Sequence, residues 1–291
     1  SVFFGGGTPT QLPATDLVKM LQALYEAFGI SSDAEVTTEA NPDTVDEAYL
    51  EILKDAGFNR LSFGMQSAVP EVLAVLERTH EPAAVARNIE IAKRLGFQTS
   101  VDLIYGAPGE TLDDWKRSVE AAIALDTDHI SAYALIVEPG TKLARQIASG
   151  LLGEPDEDLE ADKYEFASSA FSSTGFEWYE LSNFAKSAAD ESVHNMAYWT
   201  GQDWWGFGPG AHSHVGGVRW WNAKHPTSYA KPLSESISPA VGRETLDDHT
   251  RAVERVMLEI RLRKGLAVET LRQANESPSA IIASLIADGL I

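Results

Sequence analysis

The sequence predicts an α/β fold of parallel βαβ units, and three observations carry that prediction. Apolar, strand-like runs recur at 2–4, 36–38, 60–63, 100–104 and 130–135. Between them lie stretches with apolar residues at helical spacing. Three helices end alike, in Ala56-Gly57-Phe58, Leu95-Gly96-Phe97 and Thr174-Gly175-Phe176. There Gly supplies the left-handed turn that closes a helix, and Phe packs back on it. Each strand follows within a few residues, so the chain reads as a degenerate βα repeat of roughly 25–40 residues.

Element by element, the strand Val2–Phe4 runs into Gly5-Gly6-Gly7, where no side chain separates the backbone from a small ligand. Thr8-Pro9 can then start a helix, whose apolar face is Leu17, Met20, Leu21, Leu24, Tyr25 and Phe28. Thr44 with Glu47 forms a capping box for the next helix, which turns Val45, Ala48, Tyr49, Ile52 and Leu53 inward. Pro82 suits a first helical turn, and Thr111 with Asp114 opens another helix. Beyond Gly150 an acidic segment, 154–165, is expected at the surface and leads into a helix. Five of the seven tryptophans then fall between Trp199 and Trp221, so this stretch is a distinct aromatic-rich region. The pairs Trp204-Trp205 and Trp220-Trp221 are read as core and hairpin packing. From Arg243 the pattern turns helical again, through Ala252, Val253, Val256, Met257 and Ile260, then 266–271 and 281–290. The expected organisation is a barrel over 1–150, a barrel-associated aromatic region over 151–235 and a small helical domain over 236–291. Val2 opens in mid-fold and Asp288-Gly289-Leu290-Ile291 stops as if a hairpin should follow. Further chain is therefore expected on both sides.

Composition narrows the function. With 291 residues, 44% of them hydrophobic, the chain can bury a large core. Its 43 acidic and 23 basic residues give a net charge of −20, which argues against a nucleic-acid partner. No signal-peptide pattern and no long apolar run is present, so no transmembrane segment and a cytoplasmic location are expected. There is no cysteine, which excludes disulfides, thiolate metal sites and Cys nucleophiles among these residues.

The strand ends point to a site. Gly5–Gly7 follow the first strand, Glu39 the second and Gln66 the third; Asp102 sits inside the fourth, and Glu138-Pro139-Gly140 follows the fifth. In a barrel of parallel strands, residues at the strand C-termini line one mouth, where chemistry sits. A shared ligand site is expected there.

Several blocks together resemble one family. Gly5-Gly6-Gly7-Thr8-Pro9-Thr10 resembles the glycine motif of radical SAM enzymes of the anaerobic coproporphyrinogen III oxidase branch, the HemN/HemW family. Thr38-Glu39-Ala40-Asn41-Pro42, Arg60-Leu61-Ser62-Phe63-Gly64-Met65-Gln66-Ser67, Arg78-Thr79-His80 and the block from Val101 to Glu110 agree in order. The resemblance covers nearly the whole chain. It implies a partial (βα)6 barrel with its first βα unit missing here, followed by a small C-terminal helical domain. It also implies that Gly6, Gly7 and Thr8 hold the methionine end of S-adenosylmethionine (SAM), with Glu39, Gln66, Arg78, Asp102 and Ile136 completing the pocket. The family's [4Fe–4S] cluster is bound through three cysteines after the first strand. That loop would lie upstream of Val2: either the segment is missing from this sequence or the protein is a degenerate relative, with the mid-strand start favouring the first, and these residues alone are expected to be inactive in radical chemistry.

A second motif, His194-Asn195-Met196-Ala197-Tyr198-Trp199, resembles the HNxxYW sequence of the family's haem-binding members, which are regarded as haem chaperones. By that resemblance His194, Asn195, Tyr198 and Trp199 would bind haem, with His194 on the iron. Histidine is a common axial ligand, and Tyr and Trp offer flat apolar faces. The flanking Asp190-Glu191 could orient the imidazole. Gly206-Phe207-Gly208-Pro209-Gly210-Ala211-His212-Ser213-His214 resembles the family's glycine loop, whose polar residues approach the SAM site. Alternation puts His212 and His214 on one side of a strand, with no evident third ligand for a metal. The resemblance implies a haem-binding protein that passes haem to acceptor proteins, and it is compatible with a homodimer. The alternatives are oxygen-independent coproporphyrinogen III oxidase, acting by radical oxidative decarboxylation, and a SAM-binding relative that does neither.

Overall fold

Every expected strand of the βα repeat forms. In chain order the first half comprises β1 (Val2–Phe4), α1 (Ala14–Phe28), β2 (Val36–Ala40), α2 (Glu47–Asp55), β3 (Arg60–Gln66), α3 (Pro70–Val75), α4 (Pro82–Arg94), β4 (Gln98–Tyr105), α5 (Leu112–Ala124) and β5 (His129–Ala134). Then α6 (Lys142–Ala148) and α7 (Glu157–Ser173) lead to a hairpin of β6 (Glu177–Glu180) and β7 (Asn183–Ala185). The computed structural model describes residues 1–274 and 278–289. The chain divides into two units, Ser1–His194 and Asn195–Ile291.

The strands of the first unit make one sheet in the order β1-β2-β3-β4-β5-β7-β6, parallel from β1 to β5 and antiparallel at β7 and β6. Sequential strand order joined by helices is the topology of a βα-barrel wall, not of a doubly wound sheet. One face of the sheet is apolar. Val36, Leu61, Phe63, Val101, Leu103 and Ile130 pack with Leu17, Leu21, Leu50, Ile89, Trp115 and Phe171 in a single core cluster. Register places Thr37, Glu39, Arg60, Ser62, Ser100, Asp102, His129 and Ser131 on the other face, which is almost wholly polar.

The helix ends behave as read. Gly57, Gly96 and Gly175 have φ of 103°, 79° and 91°. The N–H groups of Phe58, Phe97 and Phe176 donate back to Leu53, Ala92 and Phe171, closing Schellman-type caps. The Thr111/Asp114 capping box is present. Two details differ. The N-cap of α2 is Asp46, which accepts from the Tyr49 N–H, while the Thr44 hydroxyl donates to the Asn41 carbonyl; Asp46 stands directly before the helix and reaches its third N–H. On α1, Met20 and Phe28 are 41% and 59% exposed, so its buried stripe is narrower than the periodicity implied. The acidic start of α7 also carries a buried residue, Lys163, whose ammonium donates to the carbonyl and carboxylate of Glu110.

The helix α8 (Val193–Trp199) carries the HNxxYW-like motif. It is followed by β8 (His212–Val215), β9 (Val218–Asn222), α9 (Pro226–Ser234), β10 (Ala240–Thr245), α10 (Asp248–Glu259), α11 (Val268–Ala274) and α12 (Pro278–Ala287). The second unit is thus helical toward its end but also holds a three-stranded antiparallel sheet, ordered β10-β9-β8. Its strand β10 is mostly exposed, so it lacks the alternation that would reveal it. A side chain at Gly242 would collide with the Trp221 ring, which explains that glycine. The expected helix over 281–290 lies within α12 as far as Ala287, and Leu290 falls outside the described residues. Among the described residues no helix is long and apolar enough to cross a membrane.

Candidate functional site

The C-terminal ends of β1 to β5 surround a cavity of about 420 Å³. Gly7, Thr8, Glu39, Gln66, Arg78, Asp102 and Ile136 all line it. Gly6 stands behind Glu39, donating its N–H to the carboxylate at 3.3 Å. The structure therefore brings the eight residues of the expected SAM pocket to one place. Gly6 and Gly7 have φ of 84° and 74°, with nothing within 4 Å of where a Cβ would stand. Their bare backbone leaves open space, at angles that other residues adopt only with strain.

Two acids face the cavity in unlike settings. Asp102 is central on β4 and accepts from the Ser62 hydroxyl, 3.0 Å from each carboxylate oxygen. Burial raises its pKa, against the opposing hydrogen bonds of Ser131 and Ser62 and the nearby Arg60 guanidinium. Burial also raises Glu39, helped by the Asp102 charge and opposed by the Gly6 N–H and Arg78. Two carboxylates held together with few donors favour a cationic or donor-rich ligand. Arg78 is exposed and has no ion pair among the described residues. Ile136 is 75% exposed and presents an apolar surface at the rim.

Gln66 reaches the cavity through a local distortion. It has φ of 61°, a left-handed conformation costly for a non-glycine, and the β3–β4 register shifts between Gly64 and Gln66. A Cβ on Gly64 would lie 2.7 Å from the Gln66 side-chain amide nitrogen. The buried His80 ring bonds the Met65 carbonyl at 2.9 Å, holding the bulge from below. The Arg78-Thr79-His80 block thus contributes one residue to the cavity wall and one to its support.

His194 lies elsewhere, beside the N-terminal ends of the strands. Its Nδ1 is 3.0 Å from the Ser1 hydroxyl, and its ring stacks on Phe3 at 4.9 Å. Burial lowers its pKa, with Glu35 opposing, so the neutral imidazole is favoured. Glu35, just before β2, accepts from the backbone N–H groups of Val193 and His194 at 3.0 and 2.9 Å and lies 3.6 Å from the buried Arg60 guanidinium. Asp190 does not orient His194; it accepts instead from Ser187 and Gln98. Asn195, Tyr198 and Trp199 follow on α8 in the second unit, where Tyr198 meets Trp204 edge-on at 4.9 Å. A larger cavity of about 570 Å³ is lined by Ser1, Glu35, Asn59, Gln98 and Val193, but none of the residues expected to bind SAM reaches it.

Sequence reasoning missed Glu35, Ser62 and Tyr133. The last two line the SAM-type cavity, and both sit at even steps from Arg60 or His129 along polar-faced strands. That alternation was the available signal. No group of three metal-ligating side chains occurs among the described residues, and His212 and His214 form no such group.

Residues 1–122 match the model of the Radical SAM superfamily. The heme chaperone HemW of Mycobacterium tuberculosis is 44% identical over 292 residues, covering 100% of this chain and 74% of that protein. The heme chaperone HemW of Bacillus subtilis is 38% identical over 269 residues, covering 92% and 71%. Among solved structures, coproporphyrinogen III oxidase (HemN) from Escherichia coli superposes with a TM-score of 0.81 at 23% identity, over 93% of this chain and 65% of that enzyme. The last likeness concerns the fold, a partial radical SAM barrel. The identity to these chaperones extends along 92% to 100% of the chain, and on that ground this chain belongs to the HemW family of the radical SAM superfamily.

Proposed function

We propose that this chain binds SAM in the cavity at the strand C-termini and binds haem through His194, acting as a haem chaperone. The observation that carries this reading is the match along 92% to 100% of the chain to relatives named heme chaperones. The cavity chemistry supports the SAM half. Glu39 and Asp102 are acceptors for an ammonium and for ribose hydroxyls, and Arg78 can pair with a carboxylate in a two-pronged bond. Gly6 and Gly7 leave room for the methionine end, and Ile136 offers an apolar face to adenine.

The haem half rests on the chemistry of the α8 motif. A neutral imidazole is the form that ligates iron, and burial favours it at His194. When bound, haem iron would supply ligand exchange, the basis of passing haem to an acceptor protein. A [4Fe–4S] cluster takes thiolate ligands and this sequence contains none, so no radical step is derived from these residues.

Haem titration tests the reading. His194→Ala should change the Soret band and weaken affinity, whereas Met196→Leu should leave both unchanged, because thioether and alkyl chains fill similar volumes. The full-length protein should not decarboxylate coproporphyrinogen III. An unaltered His194→Ala spectrum returns His194 to a structural role, and formation of protoporphyrinogen IX moves the oxidase reading to first place.

A further inference from the structure

The three-stranded sheet of the second unit has two unlike faces. Cross-strand partners share a face, so Trp221, His212, Arg219, His214 and Glu244 lie on one side, and Trp220, Ser213 and Arg243 on the other. The first side is engaged. Arg219 forms a two-pronged pair with Glu254 of α10, and His214 is buried beside Trp204 at 4.9 Å. The second side is partly covered, with Ser213 and Asn222 buried and Trp220 half-buried beneath the loop that carries Trp205 and Phe207, but that loop's own aromatic rings are open to solvent. Trp205 and Phe207 are 57% and 52% exposed, which corrects the expectation that Trp205 is core packing. Their rings are near-parallel, 22° apart with centroids 6.3 Å apart, and Trp220 meets Trp205 edge-on at 5.0 Å. Arg243 stands directly across from Trp220, is exposed, and makes no ion pair or hydrogen bond with a described residue.

Three clustered aromatic rings with two more than half exposed form a patch that a folded chain rarely leaves to water without use. Flat rings prefer a flat partner, stacked or edge-on. A guanidinium at their margin adds a preference for an anionic group on that partner. This matters in a chain of net charge −20, whose general field repels anions. The aromatic face and its unpaired arginine therefore match a planar aromatic molecule carrying carboxylates.

We propose that Trp205, Phe207, Trp220 and Arg243 form a seat for a planar tetrapyrrole dicarboxylate, taken with or without iron. The macrocycle lies against the Trp205 and Phe207 rings, and one carboxylate pairs with Arg243. The tetrapyrrole identity rests on the haem reading above; the preference for a flat aromatic anion does not.

Iron-free protoporphyrin IX is the probe, because it gives His194 nothing to ligate. It is titrated into the full-length protein at low salt, reading tryptophan quenching and porphyrin anisotropy. Trp205→Ala should weaken binding about tenfold, and Arg243→Ala about threefold, with Arg243→Lys restoring most of the latter. The Arg243 effect should fade at high salt and vanish for the porphyrin with both carboxylates esterified. These side chains are exposed, and far-UV circular dichroism checks that the variants fold. Absence of porphyrin binding by the wild type, equal affinity of Trp205→Ala and wild type, or preference for an acidic aromatic peptide over porphyrin each overturns the seat. Unchanged porphyrin affinity in Trp205→Ala, alongside a haem spectrum that responds to His194→Ala, removes the seat and leaves the chaperone reading standing. Porphyrin binding that depends on Trp205, alongside a haem spectrum indifferent to His194, keeps the seat and removes the axial ligand.

Discussion

Glu35 stands just before β2 and Glu39 near its end, four residues apart, yet they do opposite things. Glu35 is buried, accepts from two consecutive backbone N–H groups and lies beside Arg60. Glu39 accepts a single long bond from Gly6 and faces an open cavity beside a second carboxylate. The first acid is spent on holding chain together. The second keeps its lone pairs for something the protein does not itself supply. What separates them is position along the strand: N-terminal ends are closed by incoming chain, and C-terminal ends open on the mouth.

Three measurements sharpen or break that contrast. The largest effect should come from Glu35→Ala, which strands the buried Arg60 charge and two backbone donors. Chemical denaturation should show a loss of about 3 kcal/mol. A loss no greater than that of an ordinary surface substitution would mean that Glu35 is not structural. Glu39→Gln should cost no stability, since it removes a carboxylate that burial disfavours, and should instead weaken SAM, by about 2 kcal/mol or roughly thirtyfold in Kd by calorimetry. If both glutamates cost stability alike, the division of labour fails.

The smallest effect concerns pH. Burial raises Asp102 and Glu39, so the native state holds those protons more tightly than the unfolded chain. Their contribution to stability is fully present below the ordinary carboxylate range and is lost as pH rises through the raised values. Asp102→Asn removes one of the two contributions. Its stability relative to wild type should therefore grow as pH rises through that window and level off above it. A relative stability that falls over the same window would show Asp102 to be better solvated as the anion, contrary to the geometry.

Much of this was legible in the chain. The walls of the barrel are read directly because Leu61, Phe63, Val101 and Leu103 bury one strand face, and Gly57, Gly96 and Gly175 close helices in the only backbone region that suits them. The mouth was legible because polar residues end successive apolar strands. Glu35 was not, since its partners at 193 and 194 come from another part of the chain and no local pattern announces them. Ser62 and Tyr133 carried a weaker signal: alternation from Arg60 and His129 gives their face, but not that this face opens on a cavity at that height. The exposure of Trp205 was missed because tryptophan's hydrophobicity normally argues for the core, and only register shows which face of a sheet a side chain takes.

The bulge at the end of β3 carries a consequence for how this sequence can change. The Gln66 amide fills the space that a Gly64 side chain would need, and His80 holds the carbonyl of the intervening Met65. A substitution at Gly64 displaces the flexible Gln66 amide from the place it holds, one at Gln66 removes that amide, and one at His80 releases the turn that aims it. All three changes therefore act through one side chain of the cavity wall. The three positions are expected to be epistatic, so that a change at Gly64 or His80 matters less once Gln66 has already been replaced, a dependence that a scan of single variants would not reveal.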